Sequence, residues 1–307
     1  MSSRVRPVDL VIAGYNLVLA AVWLRLMDAA AAAPWMAVAH VLAAATPGLL
    51  GWCRAEPRGA WRLAREIYPL AAIGLFWTEL GRLHGAGDFA HYDAVIARLD
   101  LALFGRHLNL VWMPAMPQRG FSELMHLFYV LYYPLIALPP LAMCLEGRGE
   151  ALRDMTLRLA VTYLGCYLLY LVFPVIGPAE LLPHYRGGLT DGVLYQLSHA
   201  ARAAGDSLGT AFPSSHAAGA VTAAVLGWRW LSRPVRWLLT VQAGGVLLAT
   251  VYTQNHYAVD ALAGLVVALG LQLGLIPALA GEHAAPVPPL PVRWTVRGPE
   301  PVTGSAG

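Results

Sequence analysis

The run Leu159-Ala160-Val161-Thr162-Tyr163-Leu164-Gly165-Cys166-Tyr167-Leu168-Leu169-Tyr170-Leu171-Val172-Phe173 decides the fold. It carries no charged side chain and stops at Pro174, a residue that breaks a helix interior. With the residues just before it, it forms an apolar stretch over 155–174; roughly 20 helical residues cross a bilayer core. The stretch 236–254 reads the same way, uncharged from Trp237 to Gln254. Working outward, further apolar runs lie at 9–27, 34–52, 63–81, 121–145, 212–231 and 256–280. The expected fold is therefore all-α, a polytopic transmembrane helical bundle of about eight spans. The segment 89–116 is punctuated by Asp93, Arg98, Asp100 and Arg106 and reads as an interfacial helix and loop.

Composition agrees. Of 307 residues 58% are hydrophobic and 13% charged, against about 25% charged in soluble chains. A net charge of +3, with no basic stretch interleaved with aromatics, gives no reason to expect nucleic acid. All 21 basic residues are arginine, and alanine is abundant. That pattern fits a high-GC bacterial coding bias, so a bacterial inner (plasma) membrane is expected. Cys53, Cys144 and Cys166 lie in or at the end of apolar runs without metal or redox spacing, so no disulfide framework is expected. The first run follows Arg4 and Arg6 without a small-residue cleavage site and reads as a retained helix. Three regions are expected: N-terminal membrane helices over 1–58, a catalytic membrane domain over 59–281, and a Pro-rich disordered cytoplasmic tail over 282–307.

Arginine placement orients the bundle. Alternate loops hold Arg4 and Arg6; Arg54, Arg58, Arg62 and Arg65; Arg148, Arg153 and Arg158; Arg229, Arg233 and Arg236; and Arg293 and Arg297, fourteen of the 21. Short cytoplasmic loops concentrate positive charge. The loops 82–120 and 175–211 and the turn 254–256 then face outward.

Three polar features fall on that outer side: Phe173-Pro174-Val175-Ile176-Gly177-Pro178, Gly209-Thr210-Ala211-Phe212-Pro213-Ser214-Ser215-His216, and Asn255-His256-Tyr257-Ala258-Val259-Asp260. His256 and Asp260 are four apart at a helix start and share a face. A carboxylate beside an imidazole fixes its tautomer, which suits a nucleophilic histidine; the plainer reading is a polar pair satisfying itself. Ser214 and Ser215 open a helix whose free N–H groups suit a phosphate, and His216 could protonate a leaving oxygen. The same serines are open to an ordinary reading as helix caps.

Pro213-Ser214-Ser215-His216, followed by His256 and Asp260, resembles the second and third signatures of the phosphatidic acid phosphatase type 2 superfamily. Asp100 to Gly105, Ser122 to Tyr129 and Phe173 to Pro178 extend the resemblance, over roughly 60–280, to its inositolphosphorylceramide synthase-like (inositolphosphotransferase) branch. The resemblance implies a six-helix phosphatase-type core and a lipid phosphatase or phosphotransferase working through a phosphohistidine. It implies His256 as nucleophile, Asp260 as its orienting partner, His216 as general acid and Ser215 as a holder of phosphate oxygens, with Ser214 beside it. It also implies that neither a metal nor an organic cofactor is needed, and that the partner is a lipid substrate within the bilayer.

One departure stands out. The superfamily's first signature clamps phosphate with a lysine and an arginine, and this chain has no lysine. Arg186 is the expected cation, with His184 behind it. Glu123, His126, Tyr129 and Tyr133 recur at helical spacing and either line a cavity or pack as a polar stripe. Trp77 and Trp112 read as interfacial anchors, and Glu79, Arg82 and His84 as a solvated span end. Asp88 and His91 make a weak metal pair. The competing functions are a non-catalytic lipid transporter or lipid-binding membrane protein, and an intramembrane serine protease, which leaves Asp260 and His216 unexplained.

Overall fold

A computed structural model describes residues 5–53, 60–87, 89 and 91–277. The proposed tail 282–307, Asp88, and the loop arginines 4, 54, 58, 293 and 297 lie outside the described residues. The architecture is all-α, 80% helical and without a strand among the described residues. In chain order the helices are α1 (Pro7–Arg25), α2 (Ala33–Cys53), α3 (Ala60–Ala86), α4 (Asp93–Phe104), α5 (Leu108–Ala115), α6 (Arg119–Val130), α7 (Tyr132–Leu145), α8 (Gly149–Val172), α9 (Pro178–Leu181), α10 (Val193–Gly205), α11 (Ser215–Trp230), α12 (Arg233–Tyr252) and α13 (Ala258–Leu269). A π-helical turn over 270–275 prolongs α13.

Among the described residues α1, α8, α12 and α13 with its extension are long and apolar enough to cross a membrane. The expected span at 121–145 is instead a bent pair, α6 and α7, turned by 40° at Leu131. Pro134 is the cause we assign: it has no N–H to donate to the carbonyl four residues back, and its ring crowds that carbonyl. The other expected spans correspond to α2, α3 and α11. Large apolar side chains such as Leu17, Val41, Leu75, Leu138, Val172, Leu238 and Val266 are exposed on these helices, as a lipid-facing surface requires.

The long uncharged run, α8, is the central post, packed against α1, α3, α7, α11 and α13. Leu152, Met155, Leu159, Tyr163, Cys166, Tyr167 and Tyr170 are all buried along it. Its tyrosine hydroxyls find partners, as buried polar groups must. Tyr163 Oη lies 2.5 Å from Tyr132 Oη, and Tyr170 Oη donates to the Pro213 carbonyl at 2.7 Å. The second contact fixes the strand of chain that enters α11.

Glu79 and His84, read from sequence as a solvated span end, are buried. Glu79 Oε1 accepts from Trp23 Nε1 at 2.6 Å and meets His40 Nε2 at 2.6 Å, pinning α1 and α2 to α3. Arg82 is exposed. At the opposite end of α1 and α3, Arg6 joins Asp9 and Glu66 at 3.0 Å each.

Candidate active site

The three polar features do meet, and backbone hydrogen bonds join them. Val175 and Thr210 form an isolated parallel bridge, with Val175 N donating to Gly209 O at 3.2 Å and Ala211 N to Val175 O at 2.9 Å. Gly177 has φ 89°, and a Cβ there would lie 2.5 Å from Ala211 Cβ, so only glycine fits this crossing. Ser214 N donates to the Asp260 carbonyl at 3.0 Å, tying the start of α11 to α13.

A bracket absent from the sequence reading holds this arrangement from outside. The Asp93 carboxylate accepts from Ile176 N at 3.1 Å and Gly177 N at 2.8 Å. Asp100, fully buried, accepts from Val259 N at 3.1 Å and from His107 Nδ1 at 2.9 Å. Seven residues apart, both acids sit on one face of α4. That spacing was the available signal.

At the junction lies a cavity of about 210 Å³ whose lining includes His216, His256, Tyr129, Arg202, Glu180, Asp206, Asn255 and Trp77. The His216 and His256 rings sit 5.9 Å apart, edge to face. His256 is 6% exposed, and Asp260 behind it 0%. His256 Nδ1 stands 3.4 Å from Asp260 Oδ2, within ion-pair reach but without hydrogen-bond alignment. The same carboxylate oxygen accepts from Tyr257 N at 2.9 Å, fixing Asp260 at the helix start. His216 stacks on Tyr129 at 5.2 Å and packs against Tyr132 at 4.5 Å, with its Nε2 3.5 Å from Tyr129 Oη.

The serines divide. Ser214 caps α11, its Oγ accepting from Ala217 N at 3.3 Å, so the cap reading holds for its hydroxyl. Ser215 is buried, its carbonyl facing Tyr132 Oη at 3.5 Å, and it is not among the residues lining the cavity. Arg186 is exposed and away from the lining, and His184 Nε2–H donates to the Ala179 carbonyl at 2.8 Å. The permanent cation in the lining is Arg202 instead. Of the helical polar stripe, Tyr129 reaches the cavity, whereas Glu123 Oε2 accepts from Leu194 N at 3.0 Å and anchors the start of α10. Trp77 is no simple anchor: it lines the cavity and donates through Nε1 to the Gly205 carbonyl at 2.5 Å. Arg202 and Asp206, four apart beside the second feature, were a signal not taken up. No group of three or more His, Cys, Asp or Glu among the described residues is arranged to hold a metal.

The family model described as PAP2 superfamily matches residues 94–273, more than half of the chain. The chain belongs to the PAP2 superfamily. Members are generally phosphatases, and with its apolar helices this one is a membrane protein of phosphatase type. The matched stretch runs from the first turn of α4 to the π-helical turn after α13 and contains His216, His256, Asp260 and Arg202. Helices α1–α3 precede it. No curated protein and no solved structure matches the chain.

Proposed function

We propose that this protein is an integral membrane lipid phosphatase or phosphotransferase. It moves a phosphoryl group or phospho-headgroup, inositol phosphate among the candidates, through a phosphohistidine on His256 at the extracytoplasmic face of a bacterial plasma membrane. The observation that carries the reading is the shared cavity of His216 and His256, with Asp260 buried directly behind the second histidine.

Asp260 beside Nδ1 keeps the proton on that nitrogen and leaves Nε2 with a lone pair for phosphorus. Nε2 attacks, a P–N bond forms, and the P–O bond to the leaving lipid alcohol breaks. Protonated His216 gives its proton to that oxygen. In the second half-reaction neutral His216 takes a proton from water or an acceptor alcohol, whose oxygen attacks phosphorus and breaks the P–N bond. Water gives hydrolysis, and a lipid or polyol hydroxyl gives transfer. The first N–H groups of α11 have no partner within their own helix, and their dipole end favours the phosphate oxygens. Ser215, at the first position of α11, belongs to this phosphate-holding group in the proposal.

The test is a brief incubation of the purified protein with a lipid carrying labelled phosphate. An acid-labile, base-stable adduct should form on His256 and vanish in His256→Ala. Asp260→Asn should remain folded, with turnover lower by about 10²–10⁴-fold, the span of general acid–base and tautomer effects. An adduct that persists in His256→Ala, or that maps to Ser215, overturns the assignment.

A further inference from the structure

Among the described residues Arg202 is the only arginine in the cavity lining, in a chain without lysine. It sits in the last turn of α10, a helix held at both ends: Glu123 receives the Leu194 N–H, and Trp77 binds the Gly205 carbonyl. The guanidinium is therefore carried by a fixed element rather than by a loop.

Its hydrogen bonds are incomplete. Nη1 donates to Glu180 Oε1 at 2.7 Å and reaches Asp206 Oδ2 at 3.4 Å, while the buried Nε has no hydrogen-bond partner. Guanidinium offers five N–H donors in a planar fork, so much of its capacity remains unused. The exposures are unequal: the Arg202 side chain is 16% exposed, against 52% for Glu180 and 40% for Asp206. The cation is lodged in the cavity and its carboxylates are the more exposed partners, Asp206 also accepting from Ser207 N at 3.1 Å through Oδ1.

The local charge opposes a phosphate until the two carboxylates yield. One arginine and two carboxylates leave this lining at −1 with the histidines neutral, which repels a phosphate as it stands. A phosphate that offers two negative oxygens to the fork makes a stronger bidentate pair than a half-exposed carboxylate does. We propose that Arg202 is the cation that holds the substrate phosphate, kept in position by Glu180 and Asp206 until the phosphate displaces them. This rests on the phosphoryl-transfer reading of the cavity. It takes the place that Arg186 was expected to fill.

The experiment uses the full chain in detergent or nanodiscs, with inorganic phosphate and orthovanadate as probes and saturable thermal stabilisation as the binding signal. Arg202→Ala should weaken phosphate by about 10- to 100-fold, the range for losing hydrogen bonds to a charged group. Arg202→Lys, which keeps the charge and loses the fork, should fall between the two. Glu180→Gln and Asp206→Asn should act in the opposite direction and tighten phosphate by about two- to fivefold, since each removes a weak, half-exposed competitor. A purely structural ion-pair cluster predicts weakening in all four. Opposed signs support the inference. Absence of saturable phosphate binding in the wild type, unchanged binding in Arg202→Ala, or weakening in Glu180→Gln that matches Arg202→Ala overturns it. Failure of the covalent reading is seen separately, in the adduct assay on His256→Ala.

Discussion

Gly264→Ala tests whether the α11–α13 crossing sets the geometry of the site. Gly264 lies one turn beyond Asp260 on α13. An added Cβ would collide with the Ser214 carbonyl oxygen and lie 3.0 Å from Ala217 Cβ and 3.2 Å from Ala218 N. These are helix backbone and a methyl stub, which cannot rotate aside, so α13 must move away from α11 by on the order of 1 Å; the strain of such overpacking is about 1–3 kcal/mol. The movement strains the 3.0 Å bond from Ser214 N to Asp260 O and carries His256 away from His216, now 5.9 Å apart between ring centres. A misplacement of about 1 Å can cost about 10²-fold in rate. About 1 kcal/mol shifts Tm by roughly 2–4 °C at about this chain size. Purified Gly264→Ala should therefore lose about 100-fold in kcat/KM on a lipid phosphate while Tm falls by only about 2–12 °C. Gly74→Ala, whose added Cβ meets nothing within 4 Å, is the control and should keep its activity. Wild-type kcat/KM in Gly264→Ala, or a loss matched by the unfolded fraction, refutes the argument.

His199 on α10 stacks on Tyr195 at 4.2 Å and lies 5.8 Å from His184 and 6.1 Å from His126. Burial first, then His126, His184 and Arg202, pushes its pKa from 6.5 down to about 4. The unfolded chain thus takes up the proton before the folded one does, so stability is fully present above pH 6.5 and is lost as pH falls toward 4. Tm should fall over that window, less steeply in His199→Phe; equal slopes contradict the sign. For topology, single cysteines at the exposed positions Gly188 and Glu150, with the native cysteines replaced, should react with an impermeant thiol reagent from opposite sides of the membrane. Labelling of both from one side defeats the arginine-based orientation.

The sequence made helices easy to find and their interruptions hard. The span at 155–174 became α8 and that at 236–254 became α12, each shifted by only a few residues, because an uncharged run between arginines has few other solutions in a membrane. The 121–145 run was equally apolar, and its break at Leu131 depended on Pro134, one residue among many that favoured continuity. Site legibility followed the same rule. His216, His256 and Asp260 declared themselves by local spacing at helix starts. Arg202 did so only through its four-residue spacing to Asp206, since its contact with Glu180 depends on where α10 folds back relative to α9. Arg186, in the same 175–211 segment, is exposed and does not line the cavity.

The same distinction separates the parts of the site by how they are held. His256, Asp260 and His216 are placed by helix starts that are hydrogen-bonded to one another and to α4, through Asp100 to Val259 N and Ser214 N to Asp260 O. Catalytic geometry needs support of this kind, because a group free to move by an ångström loses most of its effect. The family match begins at residue 94, within the first turn of the helix that supplies this bracket. Trp77, by contrast, reaches the cavity from α3, ahead of the matched stretch, and its contacts run to Gly205 O and, through its own carbonyl, to Ser207 Oγ at 2.8 Å. Its ring also packs 5.8 Å from Tyr167 and 6.5 Å from Tyr170, and Tyr170 Oη holds the Pro213 carbonyl just ahead of α11. Changes in α3 can therefore reach the cavity wall beside Arg202 and, through Tyr170, the chain that enters α11 and carries His216, whereas the His256–Asp260 pair rests on the start of α13 and its bond to Asp100 of α4.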